Sequence, residues 1–277
     1  MRFFALPVAL LLMVSVSTAK DEFKVTEFVN QHLNSIGTEQ ARAAVKNRVV
    51  QGTVTFEILT HGPLTYEGPA TLVSEGDQLT SLMKFPPTVF RTEWFVSNGK
   101  KTSIAWVKPG SWTAFGDFVR VHDEILTEGL WGGALSTAWA LSHLQERRAR
   151  LEDRGLKKVD GVELHRVDYV PKKNSDLEIQ LYFEPDTFRH VMTVYLMVVT
   201  AELRGGPRAS GNEQEGHYRL EERFGDFKSV DNLTLPAKWT TRFTYGTAAS
   251  GTIDKYDVTV GKISHNVTLD PKNFEIK

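Results

Sequence analysis

From Arg48 onward apolar and polar residues alternate with a period of two, and turn signals cut the alternation at short intervals. Val50, Gly52, Val54, Phe56 and Ile58 fall on one face of the first such run, and Val49, Gln51, Thr53, Thr55 and Glu57 on the other. His61-Gly62-Pro63, Glu75-Gly76-Asp77, Asn98-Gly99, Pro109-Gly110 and Asp160-Gly161 punctuate the β-rich stretches. Pro171 to Ser175, Pro185-Asp186 and Asp231-Asn232 continue the series. Asn98-Gly99 and Asp160-Gly161 are the strongest signals, because both dipeptides tolerate the positive φ angles of a two-residue hairpin. A chain written in hairpins folds as antiparallel sheet. The expected class is α+β, mainly antiparallel β, with about 11 strands in one large sheet or open barrel.

Helical spacing occurs at two places. Val25, Phe28, Val29, Leu33 and Ile36 make one apolar stripe that Gly37 ends, and Thr38 can cap a second short helix carrying Ala41, Ala44 and Val45. Later, Glu128 to Gly133 leads into Ala134–Arg150, which reads as an inserted helix. Its apolar residues Leu135, Ala138, Trp139, Leu141 and Leu144 spread around much of the helix, so it needs cover on more than one side. Arg204 to Gly216 is glycine-rich and polar and reads as an exposed loop.

Residues 1–19 carry Arg2, an apolar run from Phe3 to Val16 and then Ser17-Thr18-Ala19, the layout of a cleavable export signal. Cleavage is expected near Ala19, with residues 20–277 forming one domain. The chain has no cysteine, which excludes disulfides, thiolate metal sites, thiol nucleophiles and a lipid-modified N-terminal cysteine. A formal charge of −1 gives no global pull toward nucleic acid. The reading is an exported, periplasmic protein without a lipid anchor.

Catalytic motifs are missing. There is no G-x-S-x-G, P-loop, G-x-G-x-x-G or H-E-x-x-H. Eight histidines are scattered, and His122-Asp-Glu124 has the H-x-E spacing of zinc deaminases without the cysteines that signature needs. No enzyme activity, metal or cofactor is expected. Asp176 and Glu178, two residues apart, could serve acid–base chemistry, but a charged hairpin edge is the better reading. Glu221/Glu222 form a second carboxylate pair, and Arg147, Arg148 and Arg150 read as a solvated helix end.

The aromatic residues are more informative. A sheet curved into a half barrel offers a concave apolar face that its own side chains do not fill, and a cleft between sheet and helices suits an apolar ligand. The residues expected to line it are Phe56, Phe90, Trp94, Trp106, Trp131, Leu135, Trp139, Phe183, Trp239 and Phe243. Gly129, Gly132 and Gly133 are expected to act as hinges for a moving lid.

In layout the chain resembles the periplasmic LolA-like proteins, which include a lipoprotein carrier and its outer-membrane receptor. The resemblance rests on Arg48-Val-Val-Gln-Gly52, on Lys84-Phe85-Pro86-Pro87 with Phe90-Arg91-Thr92-Glu93 and Asn98-Gly99-Lys100, and on Leu235-Pro236 with Trp239–Tyr245 and Asn266 to Phe274. It implies an unclosed half barrel whose helices lid a hydrophobic cavity. It also implies acyl lipid or lipoprotein as cargo, with inner- or outer-membrane transport proteins as partners and a role in outer-membrane biogenesis. The insertion Gly129–Gly133 departs from the carrier pattern. Two other readings stay open: an envelope protein-interaction module with a filled interior, and a metal-assisted hydrolase using dispersed histidines.

Overall fold

Wherever the period is two, the chain forms a strand, and every pairing is antiparallel. The computed structural model describes residues 24–60, 62, 64–89, 91–199, 216–247 and 250–276. The export segment, Phe90 and residues 204–215 lie outside them. The strands are β1 (Asn47–Ile58), β2 (Leu64–Glu75), β3 (Gln78–Lys84), β4 (Thr92–Ser97), β5 (Thr102–Ile104), β6 (Arg150–Val159), β7 (Val162–Val170), β8 (Glu178–Phe183), β9 (His190–Val199), β10 (Gly216–Val230), β11 (Leu233–Thr247) and β12 (Ser250–His265). They make one sheet in the order β5-β4-β3-β2-β1-β12-β11-β10-β9-β8-β7-β6. Among the described residues the count is thus 12 where about 11 were expected, and the sheet they form has two edges, β5 and β6, that do not pair with each other: it is an unclosed half barrel.

Two meanders run outward from a shared centre, where β1 pairs with β12. That pairing contains a bulge between Gln51 and Gly52, a device that bends a strand. Only glycine fits at the bulge, since a Cβ on Gly52 would stand 2.2 Å from the Thr259 carbonyl oxygen.

The hairpin signals translate unequally. Asp160-Gly161 joins β6 to β7 with φ of 49° and 86°, the conformation expected of a two-residue loop. Asp231-Asn232 does the same between β10 and β11, with φ of 49° and 64°. Asn98-Gly99 does not form a two-residue loop. Residues 98–101 all lie in the connection, only Gly99 has positive φ, and the Asn98 side chain accepts the N–H groups of Lys100 and Lys101.

Helix α1 (Val25–Ile36) ends at Gly37, and α2 (Glu39–Ala43) is capped by Thr38, whose hydroxyl accepts the Ala41 N–H. The inserted helix expected over Ala134–Arg150 is not one helix. Short 3-10 turns occupy Gly133–Leu135 and Ala140–His143, a single α turn follows at Leu144–Arg147, and Arg150 already opens β6. The extended backbone of Ser136 (ψ 144°) and of Trp139 (ψ 123°) breaks the helix, which frees its apolar residues to point several ways.

Two helices stand where no helix was expected: α3 (Ala114–Val121), capped by the Thr113 hydroxyl on Gly116 N–H, and α4 (Glu124–Thr127). Topology explains why so much chain is here. The first meander ends at one edge of the sheet, β5, and the second begins at the opposite edge, β6. Residues 105–149 must therefore cross from edge to edge, and they do so over the concave face.

Candidate functional site

The concave face is a two-layer aromatic packing, sheet below and crossing segment above. From the sheet come Phe56, Phe95, Tyr195, Phe224, Trp239, Phe243 and Tyr256, all buried. From the crossing segment come Phe115, Phe118, Leu130, Trp131, Leu135 and Trp139. Trp131 meets Trp239 edge-on at 4.9 Å between ring centroids, and meets Phe95 and Phe115 at 5.6 Å each. Phe115 also packs on Phe243 and Tyr256. These are the offset and edge-to-face geometries that aromatic rings favour.

Helix α1 closes one end. Phe28 packs edge-on against Phe183, and His32 accepts the Trp139 indole N–H at 2.8 Å while its Nδ1 meets the Phe188 carbonyl at 2.9 Å. Burial lowers the His32 pKa to about 4, so the ring is neutral and can serve as the indole's acceptor.

Polar anchors hold the crossing segment at defined points. At its start, the Thr113 hydroxyl donates to Glu93, a buried carboxylate that also accepts from Tyr256 Oη. Beside it Arg91 donates to Asp254 and Tyr256 at 2.8 Å and lies 4.1 Å above the Phe56 ring. In the middle, Glu222 on β10 accepts the Gly132 N–H at 2.9 Å, the Trp239 indole N–H at 3.0 Å and the Tyr195 hydroxyl at 2.9 Å. Burial drives the Glu222 pKa up to about 8, and those three donors only partly oppose it. Arg48 on β1 donates to the Ala134 carbonyl at 2.6 Å and to His265 at 2.9 Å, and burial lowers its pKa to about 10. At the rim, Thr137 N–H donates to Ser74 Oγ at 2.9 Å.

The structure brings seven of the ten expected cavity residues together: Phe56, Trp131, Leu135, Trp139, Phe183, Trp239 and Phe243. All seven belong to one buried apolar cluster. Trp94 is a correction of facing. Glu93 and Phe95 point into the concave side, so Trp94 between them points out, the outcome of a one-residue slip in reading β4. Trp106 is a second correction: it follows β5, is 59% exposed and packs on Trp112. Phe90 lies outside the described residues.

Asp176 and Glu178 do not form a pair or sit on an edge strand. Asp176 precedes β8, an interior strand, while Glu178 binds Arg166. Arg147 does not end a solvated helix, since it donates to the carbonyls of Thr127 and Ala138.

The expected hinge glycines all have positive φ: 67° at Gly129, 76° at Gly132 and 51° at Gly133. They sit in close packing as well. A Cβ on Gly129 would lie 1.8 Å from the Ala138 carbonyl oxygen.

Sequence reading missed Phe95, Phe115 and Phe118, and it named Arg48 and Glu222 without seeing that they anchor the crossing segment. A signal for α3 was present: Thr113 as cap, then Phe115, Phe118 and Val119 at helical spacing. Several cavities open partly to solvent. One of about 300 Å³ lies between α2 and the crossing segment, lined by Ile36, Arg42, Arg48, Ala134, Trp139 and His143 among others.

No protein-family model matches the chain, and no curated protein matches it in sequence. In structure it is similar to a LolA superfamily protein from Nitrosomonas europaea (10% identity, TM-score 0.48, covering 92% of this chain and 98% of that one). It is similar also to a putative outer membrane lipoprotein-sorting protein domain from Vibrio parahaemolyticus (10% identity, TM-score 0.47, 91% and 97% covered). A more distant likeness is to the Pseudomonas aeruginosa MucA/MucB complex (12% identity, TM-score 0.21, 87% and 100% covered). Among the described residues no helix is long and apolar enough to cross a membrane.

Proposed function

We propose that the chain is a non-catalytic binding protein of the periplasm that shields acyl chains of a lipid or lipoprotein at its concave face, with residues 105–149 as a displaceable cover. One observation carries this reading. The apolar inner face of an unclosed sheet is covered by a crossing segment and not by a second sheet. A segment joined only at its ends can leave such a face without the sheet's own hydrogen bonds breaking.

The energetics favour exchange over filling. Each acyl CH₂ taken from water gains about 0.8 kcal/mol, so a sixteen-carbon chain offers on the order of 10 kcal/mol gross. Against this stands the apolar contact of Trp131, Leu130, Leu135 and Trp139, which the cargo would replace in kind, and the anchors at Glu222 and Arg48, which it would not. Only the difference drives opening. The positive-φ glycines at 129, 132 and 133 are then the points about which the cover bends.

A second reading has its own observation. Trp131, Phe115, Phe56 and Phe243 are fully buried, which suits an envelope protein-interaction module that keeps its interior filled.

A lock separates the two. The cysteine-free background permits Ser74→Cys with Thr137→Cys, a pair whose backbone and side chain already meet at 2.9 Å. The probe is a fluorescent sixteen-carbon fatty acid. Uptake by the reduced protein and loss of uptake after oxidation is the expected result. No uptake by either form counts against acyl-chain binding and favours the interaction module, and equal uptake by both shows that binding does not require the cover to open between Ser74 and Thr137.

A further inference from the structure

Where the crossing segment meets the opposite half of the sheet, three ligand-type side chains from two distant segments converge. His122 ends α3, Glu124 begins α4, and Asp176 stands in the loop between β7 and β8. One donor atom from each lies within 4.8 Å of the other two. His122 Nδ1 is 3.3 Å from Asp176 Oδ1 and 3.6 Å from Glu124 Oε1. Ligands at about 2.0–2.2 Å from a tetrahedral ion stand about 3.3–3.6 Å apart, so two edges of a coordination polyhedron are already set. Asp176 is 67% exposed and free to swing the remaining distance.

The other ring nitrogen defines what faces the carboxylates. His122 Nε2 is 3.1 Å from the Met197 sulfur on β9. A thioether has no hydrogen to give, so Nε2 carries the hydrogen of that contact, and Nδ1 is the nitrogen that faces the two carboxylates. The imidazole is itself buried and is braced by the Phe118 ring at 4.8 Å, so it does not turn away. Outside this set, Ser175 Oγ donates to Glu124 Oε1 at 2.5 Å, the kind of outer hydrogen bond that orients a ligating carboxylate.

We propose that His122, Glu124 and Asp176 bind a divalent transition-metal ion of the zinc class. One imidazole nitrogen with two carboxylates suits Zn²⁺ better than Mg²⁺ or Ca²⁺, which prefer oxygen alone. The groove they share with Val121, Asp123, Lys173, Asn174 and Ser175, about 460 Å³, opens to solvent and leaves room for water to complete the shell. Lys173 also lines the groove. Because the ligands come from the crossing segment and from the β7–β8 loop, the ion ties one to the other and stabilises their contact.

The test uses the full chain freed of metal by chelation. It is titrated with ZnCl₂ and separately with MgCl₂, with calorimetry for stoichiometry and thermal unfolding for stability. Expected are one Zn²⁺ per chain, a rise in Tm with zinc at concentrations where magnesium gives none, and at least a tenfold weaker zinc affinity in Asp176→Asn. Asp176 is exposed, so this variant should melt like the parent without zinc, which separates lost ligation from lost folding. Glu124→Gln serves as a second, independent ligand removal. The proposal is overturned if zinc gives no Tm shift, or if its affinity is unchanged in both variants. In the latter case the ion sits at another histidine–carboxylate pair such as His165–Asp153 or His265–Asp231.

Discussion

Glu221 and Glu222 are neighbours in sequence and live on opposite faces of β10. Glu221 points outward between Arg219 and Arg223, and although burial alone would raise its pKa, these two arginines bring it below the ordinary value. Glu222 points inward under Trp239, has no cationic partner among its hydrogen bonds, and ionises near 8. The same contrast extends across the sheet. The outer face of β6 to β8 carries an ion-pair ladder through Arg154, Asp168, Arg166 and Glu178, while the inner face carries the aromatic layers. Arginines offset the burial of charge on one side and no cation does so for Glu222 on the other, so equal chemistry costs little outside and much inside.

The contrast can be broken hardest at the inner face. Trp131→Ala removes the ring that joins Phe95, Phe115 and Trp239. A loss of about 3–5 kcal/mol is expected in urea unfolding, the usual cost of a large aromatic in a tight core. A loss under about 1 kcal/mol would mean the crossing segment is loosely held.

Glu222 sharpens the comparison through pH. The folded chain holds a proton on Glu222 that the unfolded chain has released between the ordinary value of 4.5 and about 8, so stability falls as pH rises through that window. His32 acts the other way. Its pKa near 4 means the folded chain refuses a proton that the unfolded chain takes up below 6.5, so stability falls as pH drops from 6.5 toward 4. Between pH 6.5 and 8 Glu222 acts without His32. Glu222→Gln should flatten the decline there, by an amount on the order of a few kcal/mol at most. An unchanged slope in chemical unfolding would place the titration on another group.

The outer face should yield least. Glu178→Gln removes an exposed partner of Arg166, and a change under about 0.5 kcal/mol is expected. A larger loss would show that the outer ladder acts as a network and not as separate pairs.

Much of this was legible in local sequence. The stripe from Val25 to Ile36 became α1, Thr38 became a cap, and Asp160-Gly161 became the hairpin expected of it. Failures came where a non-local partner decided. Trp94 and Phe95 are both large and apolar, and nothing in β4 alone says which faces Phe115 and Trp131. Ala134–Arg150 has helix-forming residues, yet the crossing segment meets Trp239 through Trp131, Ser74 through Thr137 and His32 through Trp139 in turn, and it gives up helix to do so. His122 and Glu124 are close in sequence, but Asp176 joins them only through the β7–β8 loop.

Strand periodicity, turn dipeptides and helix caps are set by interactions a few residues long, so the sequence alone determined a long antiparallel sheet preceded by helices. That the two meanders meet at β1 and β12, leaving their other ends at opposite edges, depends on contacts some 200 residues apart, and only the tertiary structure decided it. From that pairing everything at the concave face follows. A chain that leaves one edge and re-enters at the other has to pass over the hollow, and the apolar side chains it carries across are drawn out of water onto the sheet beneath.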